Sequence, residues 1–369
     1  MHPASRLDAI RPSPIRVISE GAPADAIPLG LGEPTWDLPE PARKALATES
    51  GPCGYGPNAG LPELRRAVAH WHGAEPEEVL VTSGSEGALF SLLMAWVGPG
   101  DEVLIPDPGF PAYPALARLA GAEGVPYPLG ERFRLDAQAF TTCLEAHPKV
   151  RAAILNHPSN PTGGGASLED LRAVAWACRQ RGILLISDEV YRELHFRVRP
   201  PSLREADPYG IVLGSMSKGW AAPGLRVGWA VGDPKWLVPA RTVHAFAVTA
   251  ASAPCQRAAL ALLEASDEVL PQGRREIAAR WEALASTWLD CFGTTPRPPA
   301  GAFYHWTPLP PGVEAMAFCL RLRDEAKVVL VPGTAFGEGG RAHARLSFAA
   351  RPEQIREGVR RMAMLWGKP

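Results

Sequence analysis

The run Ile211-Val212-Leu213-Gly214-Ser215-Met216-Ser217-Lys218 changes from apolar residues to two hydroxyls and a lysine within eight positions. Its first half predicts a short strand that is buried on both faces, because side chains in both directions are apolar. A lysine just beyond such a strand is a candidate for a lowered pKa and for condensation with a carbonyl, since burying an ammonium is costly. The alternative is a loop lysine whose ammonium reaches water along an apolar stem.

Two features near this run could bind a phosphate. Ser215, Ser217 and the following Arg226 offer hydroxyls and a guanidinium for charge-assisted hydrogen bonds. The segment Ser83-Gly84-Ser85-Glu86 enters a predicted helix, where small residues let backbone N–H groups approach an anion. A Gly/Ser entry to a helix is common, so this segment indicates a phosphate site only in combination with the hydroxyls and Arg226.

Short apolar runs alternate with helical patterns on both sides of residues 211–214, and this predicts an α/β layer with a mostly parallel sheet. The other predicted strands are 78–82, 102–105, 152–155, 183–187 and 227–231. The predicted helices between them are 61–72, 84–96, 110–120 and 168–181.

The pattern changes after about residue 250. A helical segment is predicted over 253–292, with a break near Pro271. Short strands at 303–306, 328–331 and 344–348 and an amphipathic helix at 352–366 follow it. The C-terminal part of the chain therefore reads as a smaller α+β domain.

Composition limits the function classes. The 369 residues carry 38 basic and 39 acidic side chains, so no nucleic-acid or membrane surface is expected. The six cysteines form no C-x-x-C pair and no Cys/His cluster with zinc spacing, so no metal site is expected. Scattered single cysteines and a start without an apolar signal region favour the cytoplasm.

Polar residues follow two other predicted strands, where ligands of open α/β sheets bind, and one arginine lies inside a third strand pattern. Asp188, after one strand, could pair with a protonated ring nitrogen, and Tyr191 could donate to a ring hydroxyl; the alternative is a helix cap and a core tyrosine. The run Asn156-His157-Pro158-Ser159-Asn160-Pro161-Thr162-Gly163 predicts a rigid turn that aims Asn160 inward, or else an ordinary loop. Arg345 lies inside an apolar strand pattern and needs a carboxylate partner, from the protein or from a substrate.

These segments together resemble the class I/II aminotransferases, which are pyridoxal-phosphate (PLP) enzymes of fold type I. The resemblance runs from Leu29-Gly30-Leu31-Gly32-Glu33-Pro34 to Arg345. It includes the segments 55–61, 106–113, 301–304 and 332–337. It implies a large PLP-binding domain over 35–249, with a mostly parallel sheet flanked by helices. It also implies a small α+β domain over 250–369, to which residues 1–34 contribute.

The resemblance implies three catalytic residues. Lys218 attaches the cofactor as a Schiff base and later moves a proton at Cα, Asp188 pairs with the ring nitrogen, and Tyr191 hydrogen-bonds the phenolic oxygen. Further implied cofactor-binding residues are Asn160 at the phenolic oxygen, Phe110 on the ring face, and Gly84, Ser85, Ser215, Ser217 and Arg226 around the phosphate. Glu86, in the same segment as Gly84 and Ser85, is also implied to contact the cofactor.

The resemblance also implies the substrate site and the partners. Arg345 would bind the α-carboxylate, with Gly32 and Asn160 beside it. Tyr55 would reach the phosphate in the neighbouring subunit, which implies a homodimer with shared active sites. The expected reaction moves an amino group from an α-amino acid to a 2-oxo acid, with no nucleic-acid or membrane partner.

Other reactions stay open at this stage, because fold and lysine do not fix the chemistry. A β-lyase, decarboxylase or oxidase is the nearest alternative, although residues 224–228 and Arg345 favour transamination. A nucleotide-binding oxidoreductase is disfavoured, because the glycine run at 54–60 departs by one residue from G-x-G-x-x-G and no strand precedes it.

Substrate choice is the least determined feature. Dicarboxylate-specific relatives in some cases place a cation in the segment that reads Gly84-Ser85-Glu86-Gly87 here, so Glu86 argues against a dedicated aspartate enzyme. Neutral, aromatic and basic donors remain open. The residues expected to line the pocket for the distal side chain are Ser13, Pro14, Ile15, Trp36 and Phe303.

Overall fold

A seven-stranded sheet forms the centre of the residues described by the computed structural model, which are 4–8, 10, 14–50 and 53–366. Its strand order is β2-β8-β7-β6-β5-β3-β4, and only β8 runs antiparallel to its neighbours. The mostly parallel sheet predicted from the sequence is thus confirmed. The strands are β2 (Val79–Thr82), β3 (Glu102–Asp107), β4 (Glu123–Pro128), β5 (Val150–Asn156), β6 (Leu184–Asp188), β7 (Ile211–Ser215) and β8 (Gly228–Val231).

The parallel register brings the polar strand ends to one edge of the sheet. Asn156 at the end of β5 is the register partner of Asp188 at the end of β6. Asp188 in turn lies opposite Leu213 in β7, two residues before Ser215. The polar ends of these strands therefore form one contiguous rim of the sheet.

Helices cover both faces of this sheet. One face packs apolar residues of α4, α5 and α9, and the other packs those of α6, α7 and α8. Burying a large apolar side chain contributes roughly 1.5–3 kcal/mol, so packing rather than local propensity holds these helices in place. The helices up to residue 264 are α1 (Pro14–Glu20), α2 (Glu40–Ala47), α3 (Pro62–His72), α4 (Gly84–Trp96), α5 (Ala112–Leu119), α6 (Ala137–Ala146), α7 (Leu168–Gln180), α8 (Leu203–Ala206), α9 (Pro234–Val248) and α10 (Ala253–Glu264).

A second core joins the C-terminal part of the chain to residues near its start. Ile18, Ile27 and Leu29 pack in one apolar cluster with Trp281 and Phe348. The strand β1 also pairs in parallel with β10, with Ile27 opposite Val328. The remaining elements are β1 (Ile27–Pro28), α11 (Ser266–Phe292), β9 (Tyr304–Pro308), α12 (Ala315–Glu325), β10 (Val328–Val329), β11 (Val331–Pro332), β12 (His343–Ser347) and α13 (Pro352–Leu365).

The predicted break near Pro271 is wrong. Helix α11 continues through Pro271, and the chain instead breaks between α10 and α11 at Ala265. The Ser266 hydroxyl donates to the carbonyls of Leu262 and Leu263 and accepts from the Trp220 indole. These side-chain hydrogen bonds compete with the backbone hydrogen bonds of the helix, so the helix is interrupted before Pro271 is reached.

Two strand expectations also change. The sequence analysis missed β4, whose run Glu123-Gly124-Val125-Pro126-Tyr127-Pro128 contains two residues without an N–H, but an edge strand tolerates them. The strand expected over 328–331 is divided at Leu330, since 328–329 pairs with β1 and 331–332 pairs with β12. Among the helices of the described residues, none has the length and apolar character needed to cross a bilayer.

Candidate active site

A cavity of about 510 Å³ opens at the carboxyl ends of β5, β6 and β7, a size suited to a small ligand. Twelve of the fourteen site residues predicted from the sequence line it. These twelve are Gly32, Ser85, Glu86, Phe110, Asn160, Asp188, Tyr191, Ser215, Ser217, Lys218, Arg226 and Arg345. Gly84 lies directly behind the lining, whereas Tyr55 is 93% exposed and outside this cavity.

Lys218 is held in the cavity by one short hydrogen bond. Its Nζ donates to the Gly32 carbonyl at 2.7 Å and lies 5.6 Å from the ring centre of Tyr191. Burial, reinforced by the positive charge of Arg345, lowers the pKa of Lys218 to about 8, although Glu33 and Asp188 oppose the shift. A lysine with such a pKa supplies the neutral amine more readily than a surface lysine.

Asp188 lies deep in the same cavity and accepts two hydrogen bonds. The Tyr113 hydroxyl donates to its Oδ2 at 2.9 Å, and the Val190 N–H donates to its Oδ1 at 3.4 Å. Burial nevertheless raises the pKa of Asp188 to about 6. A cation at this carboxylate would reverse that shift, because an opposite charge favours the ionised form.

Arg345 is 1% exposed and lies on strand β12. Its Nη1 donates to Asn160 Oδ1 at 2.7 Å and its Nη2 to the Gly30 carbonyl at 2.6 Å, while its Nε is buried without a partner. No carboxylate of the described residues pairs with it. Because an uncompensated buried charge is costly, this guanidinium indicates a binding position for an anionic ligand.

The start of helix α4 and the loop before β8 form a compact cradle of donors. Gly84 has a φ of +77°, and a Cβ there would lie 2.7 Å from Arg226 Nη2. The Ser215 hydroxyl donates to the Ser217 hydroxyl at 2.8 Å at the end of β7. A helix N-terminus, two hydroxyls and a guanidinium in one place suit a phosphate.

Two tyrosines that the sequence analysis did not single out complete the site, together with Asn156, which was expected at the end of a strand. Tyr113 donates to Asp188, and Tyr304 shares a 2.7 Å hydrogen bond with Tyr191. Asn156 donates to the Asp188 carbonyl and accepts from the Asn160 N–H. Tyr113 and Tyr304 stand in the segments 106–113 and 301–304, so the resemblance contained their positions without stating their roles.

Of the residues expected to line the pocket for the distal side chain, only one is found in the cavity lining of the described residues. Ile15 lines the cavity, as do Leu31 and Glu33. Trp36 instead packs over Arg280, and Phe303 is fully buried outside the lining. Ser13 lies outside the described residues, and for Pro14 only the backbone is described.

The chain is similar over nearly its whole length to known aminotransferases. The aspartate aminotransferase of Pyrococcus horikoshii is 30% identical over 374 residues, covering 97% of this chain and 96% of that protein. The arginine–pyruvate transaminase of Pseudomonas aeruginosa is 32% identical over 348 residues, covering 91% of this chain and 88% of that protein. The solved structure of Thermus thermophilus aspartate aminotransferase with maleate matches with a TM-score of 0.91 at 30% identity, covering 99% of this chain and 100% of that one.

The family assignment agrees with the motifs read from the sequence. The family model described as aminotransferase class I and II matches residues 24–362. With this match and the cavity at the strand ends, the chain belongs to the class I and II aminotransferase family.

Proposed function

We propose that this aminotransferase, which moves an amino group from an α-amino acid to a 2-oxo acid, works with PLP attached to Lys218. The observation that carries the proposal is the buried Lys218 amine, which lines one cavity with Arg345 and whose pKa is lowered to about 8 by burial and by the charge of Arg345. The Arg345 guanidinium pairs with no described carboxylate, and its Nε has no hydrogen-bond partner. When bound, PLP supplies a ring that accepts the electron pair left at the substrate Cα.

The residues at the phosphate end fit this cofactor. Gly84 leaves room for the Arg226 guanidinium, which a Cβ at that position would displace. We assign phosphate binding to the backbone of Gly84 and Ser85, to the Ser215 and Ser217 hydroxyls and to Arg226. Glu86 follows in the same helical turn.

The residues at the opposite end fit a protonated ring nitrogen. Burial raises the pKa of Asp188 to about 6, and a cation beside this carboxylate would favour its ionised form. Tyr113 fixes its orientation. We assign Phe110 to the ring face, and Asn160 and Tyr191 to the phenolic oxygen.

Arg345 is assigned to the substrate α-carboxylate. Its two bonds to Asn160 and Gly30 fix the guanidinium plane, its Nε has no partner, and the residue lines the cavity. A fork that holds the carboxylate orients the Cα–H bond toward Lys218. Lys218 then removes the proton from Cα as a base and returns a proton as an acid. Gly32 is required beside this position, because a Cβ there would lie 2.1 Å from the Tyr304 hydroxyl.

A homodimer, two domains and a cytoplasmic location complete the proposal. Tyr55 is 93% exposed and Phe246 is 91% exposed, and such residues suit a subunit interface. Ile18 and Leu29 cluster with C-terminal residues, and this supports a small domain of 1–34 and 250–369 beside a large domain of 35–249. Helix α10, at the start of the C-terminal part, packs instead on α2 and α3 of the large domain. The six cysteines are all unpaired, as in a reducing compartment.

The test is a half-reaction with purified protein. Adding an amino acid alone should shift the visible absorbance of the bound cofactor and release one equivalent of 2-oxo acid. Borohydride reduction followed by peptide mass spectrometry should place the cofactor on Lys218. Lys218→Ala should lose both signals, whereas Lys149→Ala, at an exposed position, should keep them. Cofactor on another lysine would refute the assignment.

A further inference from the structure

Six charged side chains line the active-site cavity among the described residues. Four of them have partners under the proposed function. Asp188 faces the ring nitrogen, and Lys218 is joined to the aldehyde carbon of the cofactor. Arg226 binds the phosphate, and Arg345 binds the α-carboxylate. The two that remain are Glu33 and Glu86.

Neither glutamate has a partner within the described part of the chain. Both are exposed, and neither forms a hydrogen bond or an ion pair there. Their charges nevertheless act on the reaction centre, because Glu33 raises the pKa of Lys218 and Glu86 raises the pKa of Asp188. The two carboxylates therefore contribute a negative potential to the cavity, and no described side chain pairs with either of them.

The position of Glu86 makes this arrangement informative. An acidic residue in the first turn of a helix is ordinarily stabilising, because it faces the positive end of the helix dipole. Here that helix end is assigned to a phosphate, and a second negative charge beside a phosphate is unfavourable. A cation supplied by the substrate would compensate the glutamate.

The lining of this cavity also contains apolar side chains. Ile15, Leu31 and Val190 line the same space as Glu33 and Glu86. A cavity that offers both apolar side chains and carboxylates suits the stem and the head group of a long cationic side chain.

We infer that the amino donor is an α-amino acid whose unbranched aliphatic chain ends in a guanidinium or an ammonium, with Glu86 and Glu33 as the specificity-determining residues. This inference rests on the function proposed above, since it takes Arg345 as the α-carboxylate site. A dicarboxylic donor would bring its second carboxylate toward two glutamates, and like charges disfavour that complex.

The test compares donors that differ in charge but not in shape. Values of kcat/KM are measured for L-arginine against L-citrulline and for L-lysine against L-2-aminoheptanoate, with 2-oxo acid release as the readout. The cationic member should be preferred by about tenfold in each pair, since each exposed charge pair contributes a factor of about two to five. The preference should shrink as salt is added.

Isosteric variants locate the preference. Glu86→Gln and Glu33→Gln should each lower the arginine-to-citrulline ratio by about twofold to fivefold. Glu145→Gln, an exposed glutamate on α6 away from the cavity, should keep the wild-type ratio. A ratio near one in the wild type, or a ratio that both site variants leave unchanged, would overturn the inference.

The outcomes separate this inference from the function on which it rests. A preference for donors with neutral or acidic side chains over basic ones would refute the donor assignment. It would leave the proposed transaminase function intact. Failure of every donor to yield a 2-oxo acid would sink both.

Discussion

Replacing Arg345 by alanine removes a guanidinium that is 1% exposed and pairs with no carboxylate of the described residues. Two of its nitrogens donate to Asn160 and Gly30 and its Nε has no partner, so under the proposed function the remaining donors are available to a substrate carboxylate. Hydrogen bonds to a charged group contribute about 1.5–3 kcal/mol each, so losing a two-bond fork should lower kcat/KM by roughly 10²- to 10⁴-fold. KM should rise and kcat should fall together, because the fork both binds and orients the substrate.

The assay is steady-state 2-oxo acid release at several donor concentrations, with a thermal melt of each variant. Arg345→Lys keeps the charge but loses the fork, so it should recover only part of the activity. Arg341→Ala, at an exposed site, should behave as wild type. An unchanged KM in Arg345→Ala, with the fold intact, would show that the α-carboxylate binds elsewhere and would refute the reasoning.

Three further perturbations test the neighbouring groups. Tyr113→Phe removes a 2.9 Å hydrogen bond from Asp188, so the acid limb of the kcat/KM profile should move up by about one pH unit; an unmoved limb would count against Tyr113 as an orienting group. Lys218→Met should stabilise the cofactor-free protein at pH 7 by up to about 3 kcal/mol, because burial lowers the lysine pKa from 10.5 to about 8. Between pH 8 and 10.5 the unfolded wild-type chain binds more protons than the folded one, so the stability of the wild type rises with pH in this range. The difference in unfolding free energy between variant and wild type, measured in urea melts, should therefore vanish at high pH. A difference that does not change with pH would contradict the lowered pKa of Lys218. Arg192→Ala leaves the buried Glu189 without its nearest cation and should destabilise the fold by about 3 kcal/mol in the same melts, whereas Arg172→Ala on the surface should not.

Much of the site could be predicted because its chemistry is local in sequence. Asp188 and Lys218 each follow a buried strand, and parallel strands end at one edge. The strand positions were therefore sufficient to bring these residues together. Arg345 was recognisable for a different reason: a guanidinium in an apolar strand has to find an anion.

What the sequence analysis missed depends on contacts between distant segments. Tyr304 meets Tyr191 across 113 residues, and no periodicity in either segment indicates that contact. Strand β4 escaped detection because its prolines argue against a strand unless the edge position is already known. The break at Ala265 depends on the contact of Ser266 with Trp220, which is likewise tertiary.

The electrostatics of the cavity link substrate binding to the proton affinity of Lys218. In the protein alone, Arg345 lowers the pKa of Lys218, and no described carboxylate neutralises that guanidinium. A substrate carboxylate on Arg345 would cancel its positive field, so the pKa of Lys218 should rise when the substrate binds. A lysine that becomes more basic as the carboxylate arrives is better able to take the Cα proton at the moment when that proton is in reach. The same fork would then orient the bond and adjust the base, and this explains why a costly buried arginine is placed beside a buried lysine.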